Sequence, residues 1–218
     1  MFPLRDSQPS HKFPLITILI ILACAYVLFL EITAVDPEAF IYKWGLVPAL
    51  IGVGGLESLK TFVTSMFLHG GFVHFISNMW FLWIYGDNVE AALGKIGFVL
   101  FYLLSGIAAS LLQFVFSFGS GIPMLGASGA IAGVLGFYFV NFRNSRIETL
   151  VMYPFFTIVE LPSSFVLALW FLSQVFSGTA SFLDTSGGGV AWWAHIGGFA
   201  FGYFVGKFYR GRQKFYEI

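Results

Sequence analysis

A glycine-spaced apolar stretch, WWAHIGGFAFGYFVG at residues 192–206, does most to decide the fold of this chain. Its glycines at 198, 202 and 206 recur every four residues, so a helix over this stretch has one face without side chains. Bare faces let a second helix approach closely, which is typical of helices packed inside a membrane. The stretch 126–142, GASGAIAGVLGFYFVNF, offers a matching small-residue face. We therefore predict that these two helices pack together, and the packing residues are Gly129, Gly133, Gly198 and Gly202.

The composition indicates a protein whose main solvent is lipid. The chain has 218 residues, of which 58% are hydrophobic, 20% aromatic and 10% charged, whereas soluble domains carry about 25% charged residues. A polytopic membrane protein accounts for this best. The formal net charge is zero, which gives no electrostatic reason to expect a nucleic-acid partner. The single cysteine, Cys24, excludes an intramolecular disulfide and a thiol-rich metal site.

Six apolar segments predict an all-α membrane protein built as a six-transmembrane-helix bundle. The segments cover residues 13–30, 67–85, 96–118, 126–142, 162–176 and 192–209. Two other apolar segments, 32–66 and 147–161, are interrupted by prolines and charges, so we expect them to lie in the membrane interface. The second of these is expected to form a turn.

The basic residues predict the orientation. All lysines and arginines except Lys43 and Lys60 fall on one side of this arrangement. The positive-inside rule then places both termini in the cytoplasm. We expect a short cytoplasmic N-terminus at 1–12, a six-helix domain at 13–209 and a basic cytoplasmic tail at 210–218, in a multi-pass protein of the cell membrane. Glycines 187–189 mark an outer loop before the last span.

Polar side chains inside spans are costly in lipid and usually mark a functional site. His74 and Asn78 lie at the start of span two, Ser128 at the start of span four and His195 at the start of span six. All three starts are on the outer side, where three helix N-termini bring positive partial charge to one layer. Such a layer suits a developing oxyanion. His69 falls on another face than His74 and is given a structural role.

Each of these residues has a second interpretation when it is taken alone. A serine in a Gly/Ala-rich membrane helix is usually a packing residue, and an intramembrane histidine is often structural or part of a proton relay. Zinc is disfavoured because no His-Glu-x-x-His pattern occurs, and Asp87 and Glu90 fall at the opposite end of span two. No acidic residue lies in the outer half of these spans, so a Ser-His dyad is favoured over a triad, with no cofactor and no metal.

At this point the motifs resemble a known family. GASG at 126–129 and AHIGG at 194–198 resemble the signature of the rhomboid family, and HGGFVH at 69–74 followed by Asn78 resembles its second-helix motif. The resemblance implies a six-helix bundle of rhomboid type and a serine endopeptidase that cleaves transmembrane segments of membrane-protein substrates near their outer end. It implies Ser128 as nucleophile and His195 as general base. His74, Asn78 and the Ser128 N–H would form the oxyanion hole.

The chain departs from the family pattern at two places. Ala132 stands where many relatives carry an aromatic residue, and Leu59-Lys60 stands where they carry a Trp-Arg pair. Because the aromatic brace is missing, we expect bulky side chains from neighbouring spans to flank His195. Two other functions were weighed. A catalytically inactive rhomboid-like protein that binds transmembrane clients should have lost Ser128 or His195, and a transporter should show paired broken helices or an intramembrane acid.

Overall fold

Seven α-helices make up most of the described part of the chain. The computed structural model describes residues 2–8, 10, 12–152, 156–181 and 189–216, with side chains described through Arg210. The helices are α1 (Leu15–Thr33), α2 (Pro37–Trp44), α3 (Gly55–Thr64), α4 (Phe72–Phe116), α5 (Ser128–Asn141), α6 (Ser163–Ala180) and α7 (Trp192–Tyr216). Within the predicted outer loop, glycines 187 and 188 lie outside the described residues, as do residues 217–218 and the side chains of 211–216 in the predicted tail.

The longest helix, α4, is broken at Gly94. This residue has φ 72° and ψ 166°, a conformation that glycine adopts without the steric cost other residues meet. The break divides α4 into a first arm (72–93) and a second arm (95–116). These two arms correspond to the second and third predicted spans, and the structure joins them directly at Gly94.

Three of the described helices, α1, α4 and α6, are long and apolar enough to cross a membrane, and α5 is a shorter apolar helix. Segment 32–66 forms α2, α3 and two short 3-10 turns and contains no helix of spanning length. Within this segment the Trp44 ring makes two cation–π contacts, because the ammonium groups of Lys43 and Lys60 lie 5.3 and 5.1 Å from its ring centroid. Thr64 Oγ1 also donates to the Trp44 carbonyl oxygen, at 2.6 Å.

The prediction that the chain is all-α was wrong at one end of the bundle. Three strands, β1 (Phe2–Asp6), β2 (Arg146–Val151) and β3 (Thr157–Pro162), form an antiparallel sheet in the order β1-β2-β3. The segment expected to be a turn is therefore largely a hairpin. Its strands are rich in β-branched residues, and β1 comes from the N-terminus, where Arg5 pairs with Glu148 at 2.6 Å. We call this end of the bundle the sheet end. The opposite end, where α5 and α7 begin next to Ser128, is the serine end.

Helix α5 lies at the centre, packed against α7 and both arms of α4. Its contact with α7 depends on glycines, since a Cβ at Gly198 would lie 2.0 Å from the carbonyl oxygen of Gly129. A Cβ at Gly202 would lie 1.9 Å from the carbonyl oxygen of Gly133. No side chain fits at either position, so the backbones of α5 and α7 are in direct contact at these glycines. This close contact fixes the first turns of α5 and α7 beside each other.

Candidate active site

Ser128 is the first residue of α5, and that helix begins without a capping side chain. The N-cap residue is Ala127, whose side chain has no oxygen to accept a bond from the first-turn N–H groups. The chain reaches it through Gly126, whose φ is 121° and whose amide donates to the Ser65 carbonyl oxygen at 2.9 Å. The first N–H groups of a helix have no intrahelical acceptor and carry positive partial charge. The start of α5 is thus suited to bind a negative oxygen.

The His74 ring lies beside Ser128 because Gly126 has no side chain. A Cβ at Gly126 would lie 2.8 Å from Cε1 and Nε2 of His74 and 3.7 Å from Oγ of Ser128. The Gly70 amide donates to Nδ1 of His74 at 3.3 Å, so this nitrogen acts as an acceptor. In the neutral ring the proton is then on Nε2. His74 therefore presents an N–H donor toward the space next to Ser128.

Asn78 follows one turn after His74 in α4 and shares its face. Its side chain is buried, with 6% exposure. Among the described residues its Nδ2 has no hydrogen-bond partner. Buried donors are rarely left unpaired, since each costs about 1–3 kcal/mol. Nδ2 of Asn78 is thus a buried donor that can bind an acceptor from outside the described residues.

His195 lies in the first turn of α7 and is held by side chains of α6. Its Nδ1 is 2.7 Å from Oε1 of Gln174, and the ring is 8% exposed. The Trp170 ring centroid lies 5.8 Å away at an interplanar angle of 37°, and Trp192 contacts the ring edge-on at 6.1 Å. The expectation that bulky side chains from neighbouring spans flank His195 is confirmed for Trp170 of α6, whereas Trp192 belongs to α7 itself. Gln174 was missed, although a polar residue within an apolar span is the signal that would have identified it.

The first turns that carry Ser128 and His195 are in van der Waals contact. A Cβ added at Gly129 would be 3.6 Å from Cβ of Ala194, and one added at Gly198 would overlap the Gly129 carbonyl oxygen, so the residues next to the serine and the histidine lie close together. Within the described part of the chain, no hydrogen bond joins Oγ of Ser128 to the His195 ring. Such bonds are often long or misaligned before substrate binds. A cavity of about 20 Å³ beside Ser128, lined also by Ser65 and Ser110, has room for about one water molecule.

His69 packs edge-on against the His74 ring, with the ring centroids 5.3 Å apart, but it is more deeply buried. It is fully buried, its amide donates to Glu31 at 3.2 Å, and its ring packs edge-on against Phe75 at 5.3 Å. These contacts fit the structural role expected for it. Within the described ranges, no three metal-ligating side chains come together.

Comparison with known proteins identifies the family. The rhomboid domain matches residues 56–212. The rhomboid protease GluP of Bacillus subtilis is 32% identical over 144 residues, covering 66% of this chain and 24% of that protein. RHOMBOID-like protein 4 of Arabidopsis thaliana is 35% identical over 168 residues, covering 71% of this chain and 37% of that protein.

A third relative is closer to this chain in length. The putative rhomboid protease YdcA of Bacillus subtilis is 30% identical over 141 residues, covering 62% of this chain and 67% of that protein. The chain spans well under half the length of the first two relatives, GluP and RHOMBOID-like protein 4. The domain match extends over most of the chain and includes all the residues of the candidate site. This chain therefore belongs to the rhomboid family.

Proposed function

We propose that the protein is an intramembrane serine endopeptidase that cleaves transmembrane segments of membrane-protein substrates near their outer end. The observation that carries this proposal is the arrangement around Ser128. The serine opens an uncapped helix, the His74 ring lies beside it across Gly126, and the first turn of α7 with His195 packs against it. A packing serine would need none of these neighbours.

In the proposed reaction, Oγ of Ser128 attacks the scissile carbonyl carbon and Nε2 of His195 takes the hydroxyl proton. The carbonyl oxygen becomes an oxyanion, which accepts hydrogen bonds from the Ser128 N–H, Nε2–H of His74 and Nδ2 of Asn78. When the C–N bond breaks, the His195 imidazolium gives its proton to the leaving amine. A water molecule, deprotonated by His195, then attacks the acyl carbon. The C–Oγ bond breaks, the imidazolium returns its proton to Oγ of Ser128, and the carboxylic acid product leaves.

We propose a six-span topology for this enzyme, with both termini in the cytoplasm and the serine end facing outward. The spans are α1, the two arms of α4, α5, α6 and α7. Successive helices run in opposite directions, which brings the starts of α4, α5 and α7 to the serine end. The placement of basic residues supports this orientation. The proposed location is the cell membrane, and the proposed partners are lipid and transmembrane substrates.

Cleavage by reconstituted protein tests the proposal. The purified chain in proteoliposomes is given a single-span substrate with small residues near its outer end, and products are resolved by mass spectrometry. We expect one cut in that region, and none with Ser128→Ala at equal folded amount. If a range of such substrates stays intact and instead co-purifies with the wild type, the protein is the client-binding relative and the proposal is wrong.

A further inference from the structure

Gln174 makes the one close polar contact of the His195 ring in the described part of the chain. It lies in α6 with 6% exposure, and its Oε1 is 2.7 Å from Nδ1 of His195. The two residues are on neighbouring helices and 21 positions apart. A contact this short between two buried side chains restricts the rotamers of both.

The orientation of the Gln174 amide follows from the other groups around it. The Ser173 hydroxyl donates its proton to the Trp170 carbonyl oxygen at 2.6 Å, so Oγ of Ser173 is left as an acceptor. The nitrogen of Gln174 lies 2.8 Å from that Oγ and 3.2 Å from the same carbonyl oxygen. An amide turned the other way would place oxygen against two acceptors. Both neighbours thus require the NH₂ group, and the amide oxygen must face His195.

An amide oxygen can only accept, so Nδ1 of His195 must carry the proton. In a neutral imidazole the lone pair is then on Nε2, the nitrogen that a general base needs. We propose that Gln174 is a positioning residue that fixes the tautomer and ring orientation of His195, an inference that rests on the proposed function. It does part of what the aspartate of a catalytic triad does, because it orients the ring without a charge to stabilise the imidazolium.

This arrangement accounts for the small residue at position 132. Ala132 is fully buried, and a Cβ on the facing Gly198 would lie 3.3 Å from its Cβ. Helices α5 and α7 therefore pack closely together at this position. The ring is supported instead from α6, where Trp170 contacts it and Gln174 bonds it. One turn of one helix supplies both contacts.

The two site histidines are therefore expected to be opposite tautomers, which ¹⁵N NMR of histidine-labelled protein can measure. Neutral His195 should carry its proton on Nδ1 and neutral His74 on Nε2, with signals assigned from single-histidine variants. Gln174→Leu should shift His195 toward the Nε2–H form and leave His74 unchanged. Gln113→Leu is the matched control, because that amide accepts from the Ala194 N–H at 3.1 Å without touching the ring. The inference is wrong if wild-type His195 is the Nε2–H tautomer, or if Gln174→Leu does not change it.

The pH dependence of cleavage separates positioning from packing. Gln174→Leu should lower kcat by about 10 to 10²-fold with KM little changed. Gln174→Glu keeps an acceptor toward Nδ1 but places its second carboxylate oxygen against the Trp170 carbonyl oxygen, so it should recover only part of that loss. The acidic limb of its kcat profile should move to higher pH, because a carboxylate favours the imidazolium. A packing role predicts wild-type profiles in both variants, and that result would overturn the inference while the proposed function stands. A wild type that cleaves nothing but shows the expected tautomers would overturn the proposed function alone.

Discussion

The polar groups at the two ends of the bundle differ in how they are hydrogen-bonded. At the sheet end, Glu90 accepts from the Ile16 and Thr17 amides and the Thr17 hydroxyl at 2.8–2.9 Å, and Asp6 accepts from Asn88 and Tyr138. At the serine end, the described residues offer no partner to Nδ2 of Asn78. Elsewhere in the described part of the chain, Nε2 of His69 and the hydroxyls of Tyr85, Tyr102 and Ser105 also have no hydrogen-bond partner. The sheet end thus uses its polar groups to hold helices together, and the serine end keeps a donor unused.

Asn78→Ala should show the largest effect. The variant removes a proposed oxyanion donor whose Nδ2 has no hydrogen-bond partner among the described residues, so turnover should fall by about 10² to 10³-fold while stability changes little. Steady-state cleavage together with thermal unfolding in detergent measures both quantities. If substrate affinity fell and kcat did not, Asn78 would be a docking or packing residue.

Gly126→Ala comes next. Its Cβ would press on the His74 ring at 2.8 Å, and its φ of 121° disfavours any side chain, so the ring must move away from Ser128. A displacement of this size should lower kcat by about 10²-fold. Gly71→Ala is the control, since Gly71 has a similar φ of 123° and its Cβ would meet nothing within 4 Å. Equal losses in both variants would show that the effect is not specific to the contact with His74.

Glu90→Gln should lower stability and leave activity unchanged, which is the reverse of the effect expected for Asn78→Ala. The amide NH₂ group cannot accept the bonds that the buried carboxylate accepts at the start of α1, so the free energy of unfolding should fall by about 2–3 kcal/mol. Folded protein should cleave at the wild-type rate, because Glu90 lies at the far end of the bundle. Unfolding by denaturant and the specific activity of the folded fraction test the two halves of this expectation. A variant that is as stable as the wild type but inactive would show that Glu90 acts on cleavage and not on the stability of the fold.

Asp6 should give the smallest effect, visible as a pH dependence. Burial raises the pKa of Asp6 from 3.8 to about 6; the bond from Tyr138 lowers it in part, and the Asp87 charge raises it further. A carboxyl group with a raised folded-state pKa stabilises the fold most when neutral. Attachment of β1 should therefore be strongest below about pH 4 and weaken as the pH rises through about 6.

Asp6→Asn keeps an acceptor for Tyr138 and Asn88 but cannot ionise. It should remove this pH dependence and hold β1 more firmly at neutral pH. Hydrogen-exchange protection of the β1 amides at pH 5 and 7 measures the difference between the two proteins. The same loss of protection with pH in both would rule Asp6 out as its source.

The sequence predicted most of the helical bundle because its signals are local and strong. Apolar length and the glycine spacing of α7 each act within one segment, and the segments that became α1, α4, α5, α6 and α7 were all identified. The sheet was not, since β1 is five residues long and is stabilised by pairing with β2 some 140 residues away. Short strands with distant partners leave little trace in local pattern.

The candidate site was predictable for the residues that belong to motifs, namely Ser128, His195, His74 and Asn78. Gln174 carried only the general signal of a polar residue within an apolar span, because it belongs to no motif and its role depends on the packing of α6 against α7. The orientation of its amide depends further on Ser173 and Trp170. Such contacts between side chains of different helices follow from the three-dimensional structure alone.

Covalent labelling of Ser128 tests the account most directly. A serine hydroxyl reacts with a fluorophosphonate only when a base takes its proton and donors hold the phosphoryl oxygen, so labelling tests the serine, its base and the donors together. We expect the wild type to be labelled on Ser128, mapped by mass spectrometry, and His195→Ala to remain unlabelled although folded. A folded wild type that stays unlabelled between about pH 6 and 9, where a neutral imidazole is available, would contradict the account.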